Sequence, residues 1–360
     1  MSGMIRVAIA MSGGVDSSVA AALLKEQGYD VIGVMLRLWS EPGMEADNRC
    51  CSLDDRIVAR GIAEQLGIPF YVFDAGDLFR ETVVGNFIDG YAQGRTPNPC
   101  LTCNRHIRWG FLLEKAQALG AKFLATGHYA RKRSIGGQYQ LLRGVDPQKD
   151  QSYVLHVLNQ KQLAHTLFPL GRYTKPRVRK LAHKFNLPVA ARADSQDLCF
   201  VGHGDYRDFL RRNAPQVILP GEIVTRSGKI VGEHQGMAFY TIGQRRGLGI
   251  ASGQPLYVLE KDTVCNRLVV GPREQLGQDE LITGRVNWIS GQPPQNPTRV
   301  SVKIRYKSRE VEGLVTPRED GGVHVQFDKN LRDITPGQAA VFYDDEICLG
   351  GGIIEREKSP

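Results

Sequence analysis

Apolar residues come in short blocks through the first third of the chain, with amphipathic stretches between them. "RVAIAM" (6–11), "DVIGVML" (30–36), "IPFYVFDA" (68–75) and "AKFLATGH" (121–128) have strand length and β-forming composition. "DSSVAAALLKEQG" (16–28), "LDDRIVARGIAEQLG" (53–67) and "IRWGFLLEKAQALG" (107–120) space their apolar positions as helices do, and each ends on a glycine. Strands joined by helices predict a parallel, doubly wound α/β sheet. Ligands in such sheets bind beyond the carboxyl ends of the strands. "MSGG", "LRLW" and "TGHY" all fall there.

The rhythm changes from about residue 206. "FYTIGQRRGLGIASGQPLYVLEKDTVCNRLVVGP" (239–272) reads as short strands and turns, and after "PREQLGQDE" strands dominate. Many short strands with Gly, Pro and Asp-Asp punctuation predict a small β-barrel or sandwich, with "GQPPQNP" (291–297) as a loop in it. The expected division is 1–205, 206–276 and 277–360. "RVSVKIRYKSRE" (299–310) alternates most clearly: Val300, Val302, Ile304 and Tyr306 share one face, and Lys303, Arg305, Lys307 and Arg309 the other. Such a strand could track a phosphate backbone, or be a solvated barrel face. "GRYTKPRVRKLAHKF" (171–185) predicts a cationic helix with Thr174 as N-cap and Pro176 in its first turn, in contact with RNA or solvent. "PQKDQSY" (147–153) predicts a polar loop near the strand ends.

Composition narrows the class. The 360 residues are 42% hydrophobic and 23% charged, as in ordinary globular proteins. No apolar run approaches a membrane span, and the first one is closed by glycines without a cleavage site, so a cytoplasmic protein is expected. A net charge of +8 favours an acidic partner, nucleic acid first. Seven cysteines (Cys50, Cys51, Cys100, Cys103, Cys199, Cys265, Cys348) are an odd set, which argues against a disulfide framework and leaves metal binding or thiol chemistry.

"MSGGVDSS" (11–18) follows a strand and opens a helix. Gly13 and Gly14 let several backbone N–H groups turn toward one anion, and the helix N-terminus adds partial positive charge. Ser12, Ser17 and Ser18 would supply hydroxyl donors. Asp16 belongs beside phosphate only if it holds a cation or caps the helix. The loop lacks Walker A spacing and resembles the PP-loop of ATP pyrophosphatases, which cleave ATP between the α and β phosphates.

In "NPCLTCN" (98–104), Cys100 and Cys103 could be half a zinc site, a redox dithiol, or a catalytic thiol with a bystander. Cys103 precedes Arg105, His106, Arg108 and the expected start of a helix, surroundings that favour a thiolate, and Cys100 shares much of them. Cys199 in "DSQDLCF" has acidic neighbours, which suits a sulfur held until needed. A zinc site needs two more ligands. Adjacent Cys50 and Cys51 fit poorly, and His203 reads as a surface residue or cap. Cys50, Cys51, Cys265 and Cys348 read best as small buried hydrophobes.

Taken in order, "MSGGVDSS", "GRTPNPCLTCN", "LATGHYA", "KDQSYVL", "DSQDLCFVG", "GQRRGLGI" and "TPGQAAVFY" closely resemble the tRNA-specific 2-thiouridylases over nearly the whole chain. The resemblance implies a Rossmann-like PP-loop ATP pyrophosphatase domain, a small central domain and a C-terminal β-barrel that contacts tRNA. It implies an ATP-dependent sulfurtransferase that converts the wobble uridine of tRNA to 2-thiouridine, AMP and pyrophosphate, with sulfur from a protein persulfide. ATP with Mg2+ is expected, and no permanently bound metal. The partners would be tRNA and a persulfide donor such as a cysteine desulfurase or sulfur-relay protein, with no membrane.

Carried over residue by residue, ATP would meet Ala10, Met11, Ser12, Gly13, Gly14, Val15, Asp16 and Ser17, with Leu36 and Gly127. Asn98, Pro99 and Cys100 would meet the target base. His128, Lys149, Asp150, Gln151, Arg305, Tyr306 and Gln338 would contact tRNA elsewhere. Cys103 matches the nucleophile and Cys199 the persulfide carrier, the two ending as a transient disulfide. Some members carry an acidic residue where this chain has Cys100; a carboxylate there could act as general base, a thiol only as thiolate. Two other readings compete. Another PP-loop enzyme, such as an amidotransferase-type synthetase or argininosuccinate synthase, needs no distant thiol pair. A non-catalytic RNA-binding protein with a metal-clamped Cys-x-x-Cys would bind zinc.

Overall fold

The structure, a computed structural model, describes residues 4–43, 53–193, 198–201 and 205–356. Its first sheet has five parallel strands: β1 (Arg6–Ala10), β2 (Asp30–Arg37), β3 (Phe70–Asp74), β4 (Phe123–Ala125) and, after the hairpin β5 (Ala130–Ile135) and β6 (Gln138–Arg143), β7 (Thr166–Leu167). The order is β3-β2-β1-β4-β7, so β1 lies between β2 and β4. The chain reverses direction across the sheet there, and a crevice opens beyond the strand ends. Successive side chains of β1 face opposite layers. Val7 and Ile9 pack with Val19 and Leu23 of the helix Val15–Glu26, Ile62 of the helix Leu53–Leu66 and Val178 of the helix Lys175–Lys184. Ala8 faces Trp109 and Leu112 on the other side.

The helix expected over 107–120 begins earlier. Asn98 Oδ1 accepts the Cys100 N–H at 3.1 Å and Pro99 occupies the first turn, so Pro99–Thr102 is already helical. The rod continues through a π-helical stretch, Cys103–Leu112, and ends as α-helix at Leu113–Ala118. Cys103 therefore lies inside the helix, and Cys100 in its first turn.

A second unit holds the helix Tyr206–Asn213 and the strands β8 (Gly221–Thr225), β9 (Ile230–His234), β10 (Tyr257–Asp262) and β11 (Arg267–Gly271), in the order β10-β11-β8-β9. Its core residues Phe209, Ile223, Val258 and Leu268 are continuous with Phe79, Phe87 and Ile107 of the first unit. Cys265 is exposed, not buried as expected, because it sits in the turn between β10 and β11, where its N–H donates to Asp262 Oδ1 at 3.0 Å. Cys348 does sit in the core, and burial pushes its thiol up.

The C-terminal strands are β12 (Gln278–Thr283), β13 (Asn287–Trp288), β14 (Thr298–Lys303), β15 (Val311–Pro317), β16 (Val323–Leu331), β17 (Ala339–Asp344) and β18 (Ile347–Ile353). They run β12-β16-β15-β14-β17-β18, and a bridge from Thr283 to Ile354 closes the sheet around Val302, Val325 and Phe342. β18 also pairs with β6, Cys348 opposite Leu141, which ties the barrel to the first unit. The alternation expected over 299–310 stops at Lys303. Arg305, Tyr306 and Lys307 form a turn, closed by the Arg305 carbonyl accepting from the Ser308 N–H at 3.1 Å, so the four cations do not share one strand face. Among the described residues no helix is long and apolar enough to cross a membrane.

Candidate active site

A cavity of about 530 Å³ opens at the carboxyl ends of β1, β2 and β4. One wall is the loop after β1. Gly13 has φ +69°, and a Cβ there would lie 2.8 Å from the Asp55 carbonyl oxygen, so only glycine fits. Gly14 is the N-cap of the helix Val15–Glu26 and brings no side chain to its first N–H groups, which leaves that end suited to an anion. Ser12 N–H donates to Ser17 Oγ at 3.2 Å. The Ser18 hydroxyl, expected as a ligand donor, is fully buried and donates to the Gly14 carbonyl at 2.8 Å.

Asp16 does hold a cation, and it is a protein one. Lys175 Nζ lies 2.8 Å from both carboxylate oxygens, and Tyr129 OH donates to Oδ1 at 2.7 Å. Arg192 secures the loop from the other side, donating to the Gly13 carbonyl at 2.9 Å and to buried Asp55 at 2.5 Å.

The opposite wall comes from the end of β4. A Cβ on Gly127 would lie 2.9 Å from Ser17 N, so strand end and helix start approach closely. His128 is buried, its Nε2 2.9 Å from Arg108 Nη1 and its Nδ1 2.8 Å from Thr126 Oγ1. The guanidinium can only donate, so Nε2 accepts and Nδ1 carries the proton. Burial, and then Arg108, hold the ring well below its ordinary pKa, and it stays neutral.

Cys103 lines the same cavity, as does Arg108 five residues on. In an α-helix residues five apart point about 140° apart. The wider π turns, bonded i to i+5, bring them toward one face. Cys103 is buried against Phe79, Phe87 and Phe200, and half-buried Cys199 packs against the same aromatic cluster. Cys199 is not among the described residues that line the cavity. Its acidic neighbours Asp194 and Asp197, along with Cys50, Cys51 and His203, lie outside the described residues.

The structure thus gathers Ala10, Met11, Ser12, Gly14, Val15, Asp16, Ser17, Leu36, Gly127 and Cys103 around one space, joined by His128, Lys149, Gln151 and Tyr306. Burial, with Asp150 and Cys100 nearby, raises the Tyr306 phenol. Asn98, Pro99, Cys100, Asp150, Arg305 and Gln338 stand outside this wall. Asp150 is buried and accepts from the Gly144 and Ser152 N–H groups at 2.9 and 3.1 Å, so its carboxylate shapes the loop. Gln338 Nε2 donates to the Thr96 carbonyl at 2.7 Å, linking the barrel to the strand of chain that leads into Asn98. Arg305 donates to Thr335. Sequence reasoning assigned no role in the site to Asp55, Tyr129, Lys175 or Arg192. Tyr129 stood in "TGHY" and Lys175 in the cationic helix, but Asp55 and Arg192 carry no motif.

A family model described as a tRNA methyl transferase HUP domain matches residues 5–203. A PRC-barrel domain of the same group matches 207–272, and an aminomethyltransferase β-barrel domain matches 278–354. The chain is 50% identical to a protein from Magnetococcus marinus named tRNA-specific 2-thiouridylase MnmA, over 97% of this chain and 98% of that one. A protein of the same name from Clostridium perfringens is 45% identical over 97% and 98% of the two chains. Among solved structures, a 4-thiouridine synthetase in complex with RNA and ATP shares 15% identity at a TM-score of 0.36, covering 59% of this chain and 50% of that one.

Proposed function

Since this chain belongs to the tRNA-specific 2-thiouridylase family, we propose that it replaces O2 of a tRNA wobble uridine by sulfur through adenylation and persulfide transfer. The observation that carries the reading is the single cavity with an anion-ready helix N-terminus on one wall and Cys103 on another. ATP sits with its phosphates on the loop Ala10–Ser17, between Leu36 and Gly127. Uridine O2 attacks the α-phosphorus and pyrophosphate leaves, stabilised by the loop N–H groups. The oxygen on C2 then departs as AMP, a far better leaving group than an amide-like oxygen.

Cys199 carries the incoming sulfur as a persulfide delivered by a partner protein. Its outer sulfur attacks C2 and AMP leaves. Cys103 thiolate then attacks Cys199 Sγ; the S–S bond breaks, sulfur stays on C2, and a Cys103–Cys199 disulfide forms. A thiol reductant restores both cysteines. The base must leave its stack to enter, which an anticodon loop permits at lower cost than a duplex. Asn98, Pro99 and Cys100 meet it from outside the cavity lining; His128, Lys149, Gln151, Arg305, Tyr306 and Gln338 serve the tRNA at or beyond the cavity rim, and Asp150 holds their loop. The catalytic unit is 1–205, followed by 206–276 and the tRNA-contacting barrel 277–360.

The described residues do not form a cage for a divalent ion: Asp16 is committed to Lys175 and Tyr129, and no group of three His, Cys, Asp or Glu side chains is placed to hold a metal. Mg2+ would arrive on the nucleotide.

The test combines the protein, ATP, a persulfide source and unmodified tRNA, and reads the mass gain of an oxygen-to-sulfur exchange on the wobble uridine. Cys103→Ala and Cys199→Ala should each abolish it. Full activity in Cys103→Ala overturns the nucleophile assignment. Stoichiometric zinc without tRNA-dependent AMP release overturns the enzyme reading.

A further inference from the structure

A second cavity, of about 280 Å³, lies between the middle unit and the barrel, away from the site above. Lys261 of β10 lines it and is 1% exposed. Its Nζ has no hydrogen-bond partner among the described residues. Burial without a partner disfavours an ammonium strongly, and Arg356, on the same wall, adds repulsion. Arg356 is itself half-buried and donates to Thr263 Oγ1 at 3.1 Å. Carboxylates of the cleft do not relieve Lys261: Glu280 is 2.8 Å from His324 Nε2, and neither Glu260 nor Glu355 bonds to Nζ. Glu260 and Asp262 offset part of the Arg356 charge, but nothing among the described residues accepts from Lys261 Nζ, and an anion in the cleft would supply both that acceptor and the counter-charge that keeps the amine protonated. A tetrahedral oxyanion can accept from an ammonium and a guanidinium at once.

We propose that this cleft is an anion site for a phosphate group, held between Lys261 Nζ and the Arg356 guanidinium. The phosphate comes either as a free ion or as a phosphodiester of bound RNA. Only the second source rests on the tRNA substrate proposed above.

The test uses the full chain and Lys261→Met, which keeps the length of the side chain and removes its charge; Arg356→Gln repeats each arm should the first variant fold poorly. In the first arm, melting temperature is followed against inorganic phosphate at ionic strength matched with chloride. Free phosphate binding raises the melting temperature of the parent chain, with affinity weakened about tenfold or more in the variants. In the second arm, binding of unmodified tRNA is measured against salt. A backbone contact lowers the log–log salt slope by roughly one in the variants and leaves the ATP KM unchanged. Either result supports the site and identifies the source. The proposal is overturned if neither arm separates parent from variants, that is, if phosphate stabilises them equally and their salt slopes for tRNA agree.

Discussion

Lys175, at the start of its own helix, places Nζ 2.8 Å from both carboxylate oxygens of Asp16, in the first turn of the helix that follows the phosphate loop. The lysine side chain is 10% exposed and the aspartate 34%. The pair neutralises a carboxylate that would otherwise repel a triphosphate at a helix N-terminus. Lys175→Met leaves Asp16 uncompensated, and we expect the KM for ATP to rise about tenfold or more, read as pyrophosphate release. Asp16→Asn in the Lys175→Met background should recover most of that loss. No recovery would mean that Asp16 serves the nucleotide by more than its neutralisation.

Buried imidazoles set a pH dependence. His156 is 1% exposed, donates from Nδ1 to the Tyr153 carbonyl at 2.7 Å, and burial pulls its pKa down to about 4. His128 and His234 are shifted the same way. The unfolded chain binds these protons first as pH falls, so stability is full above the unfolded value near 6.5 and is lost toward the folded one. His156 alone accounts for up to about 3 kcal/mol over that window. Denaturant titrations from about pH 7 to about pH 4 should show it, and His156→Gln should reduce the slope by roughly one proton. An unchanged slope would count against a buried neutral His156.

Periodicity made the parallel sheet legible, because β1 and β2 are buried on both faces and read as apolar runs. It did not reveal β5 and β6, although Gly136 and Gly137, both at positive φ, mark a two-residue hairpin turn in "RSIGGQYQ". The helix start at Pro99 was missed because the apolar rhythm begins later, while Asn98 and Pro99 carry a capping signal. Of the residues named on the resemblance, Ser12, Asp16, Gly127 and Cys103 line the cavity, while Asn98, Cys100, Cys199 and Gln338 do not. The partners that hold those residues were not legible: Lys175 is 159 positions from Asp16 and Arg192 is 179 from Gly13, and nothing local in either segment specifies the contact.

Gly127 and Gly61 should respond to alanine in opposite directions. A Cβ at Gly127 meets Ser17 N at 2.9 Å and Asp16 C at 3.0 Å, both backbone atoms that cannot swing away. Gly127→Ala must part β4 from the helix N-terminus, and we expect a loss of about 1–3 kcal/mol with weakened ATP binding. Gly61, within the helix Leu53–Leu66, has nothing within 4 Å of such a Cβ. Gly61→Ala should stabilise by about 0.5–1 kcal/mol with ATP binding unchanged. Thermal melts with nucleotide titrations check both, and equal effects would contradict the close approach at Gly127.

The thiols should separate by accessibility. Cys100 and Cys265 are exposed, Cys103 is buried on the cavity wall, and Cys348 is fully buried with its thiol pushed up by burial. Among the cysteines of the described residues, brief alkylation of the native protein should label Cys100 first. Cys265 should follow, because Asp262 accepts its thiol proton and raises its pKa, and Cys348 should react only after unfolding. Cys265→Ser should leave tRNA thiolation intact. Cys100→Ser decides what the Cys-x-x-Cys spacing means. Cys100 stands in the first helical turn, outside the cavity wall, while Cys103 faces in. A redox dithiol or a metal site would lose all activity with the serine; a residue that only borders the base should keep most of it. Loss comparable to that of Cys103→Ala would return the pair to a joint chemical role.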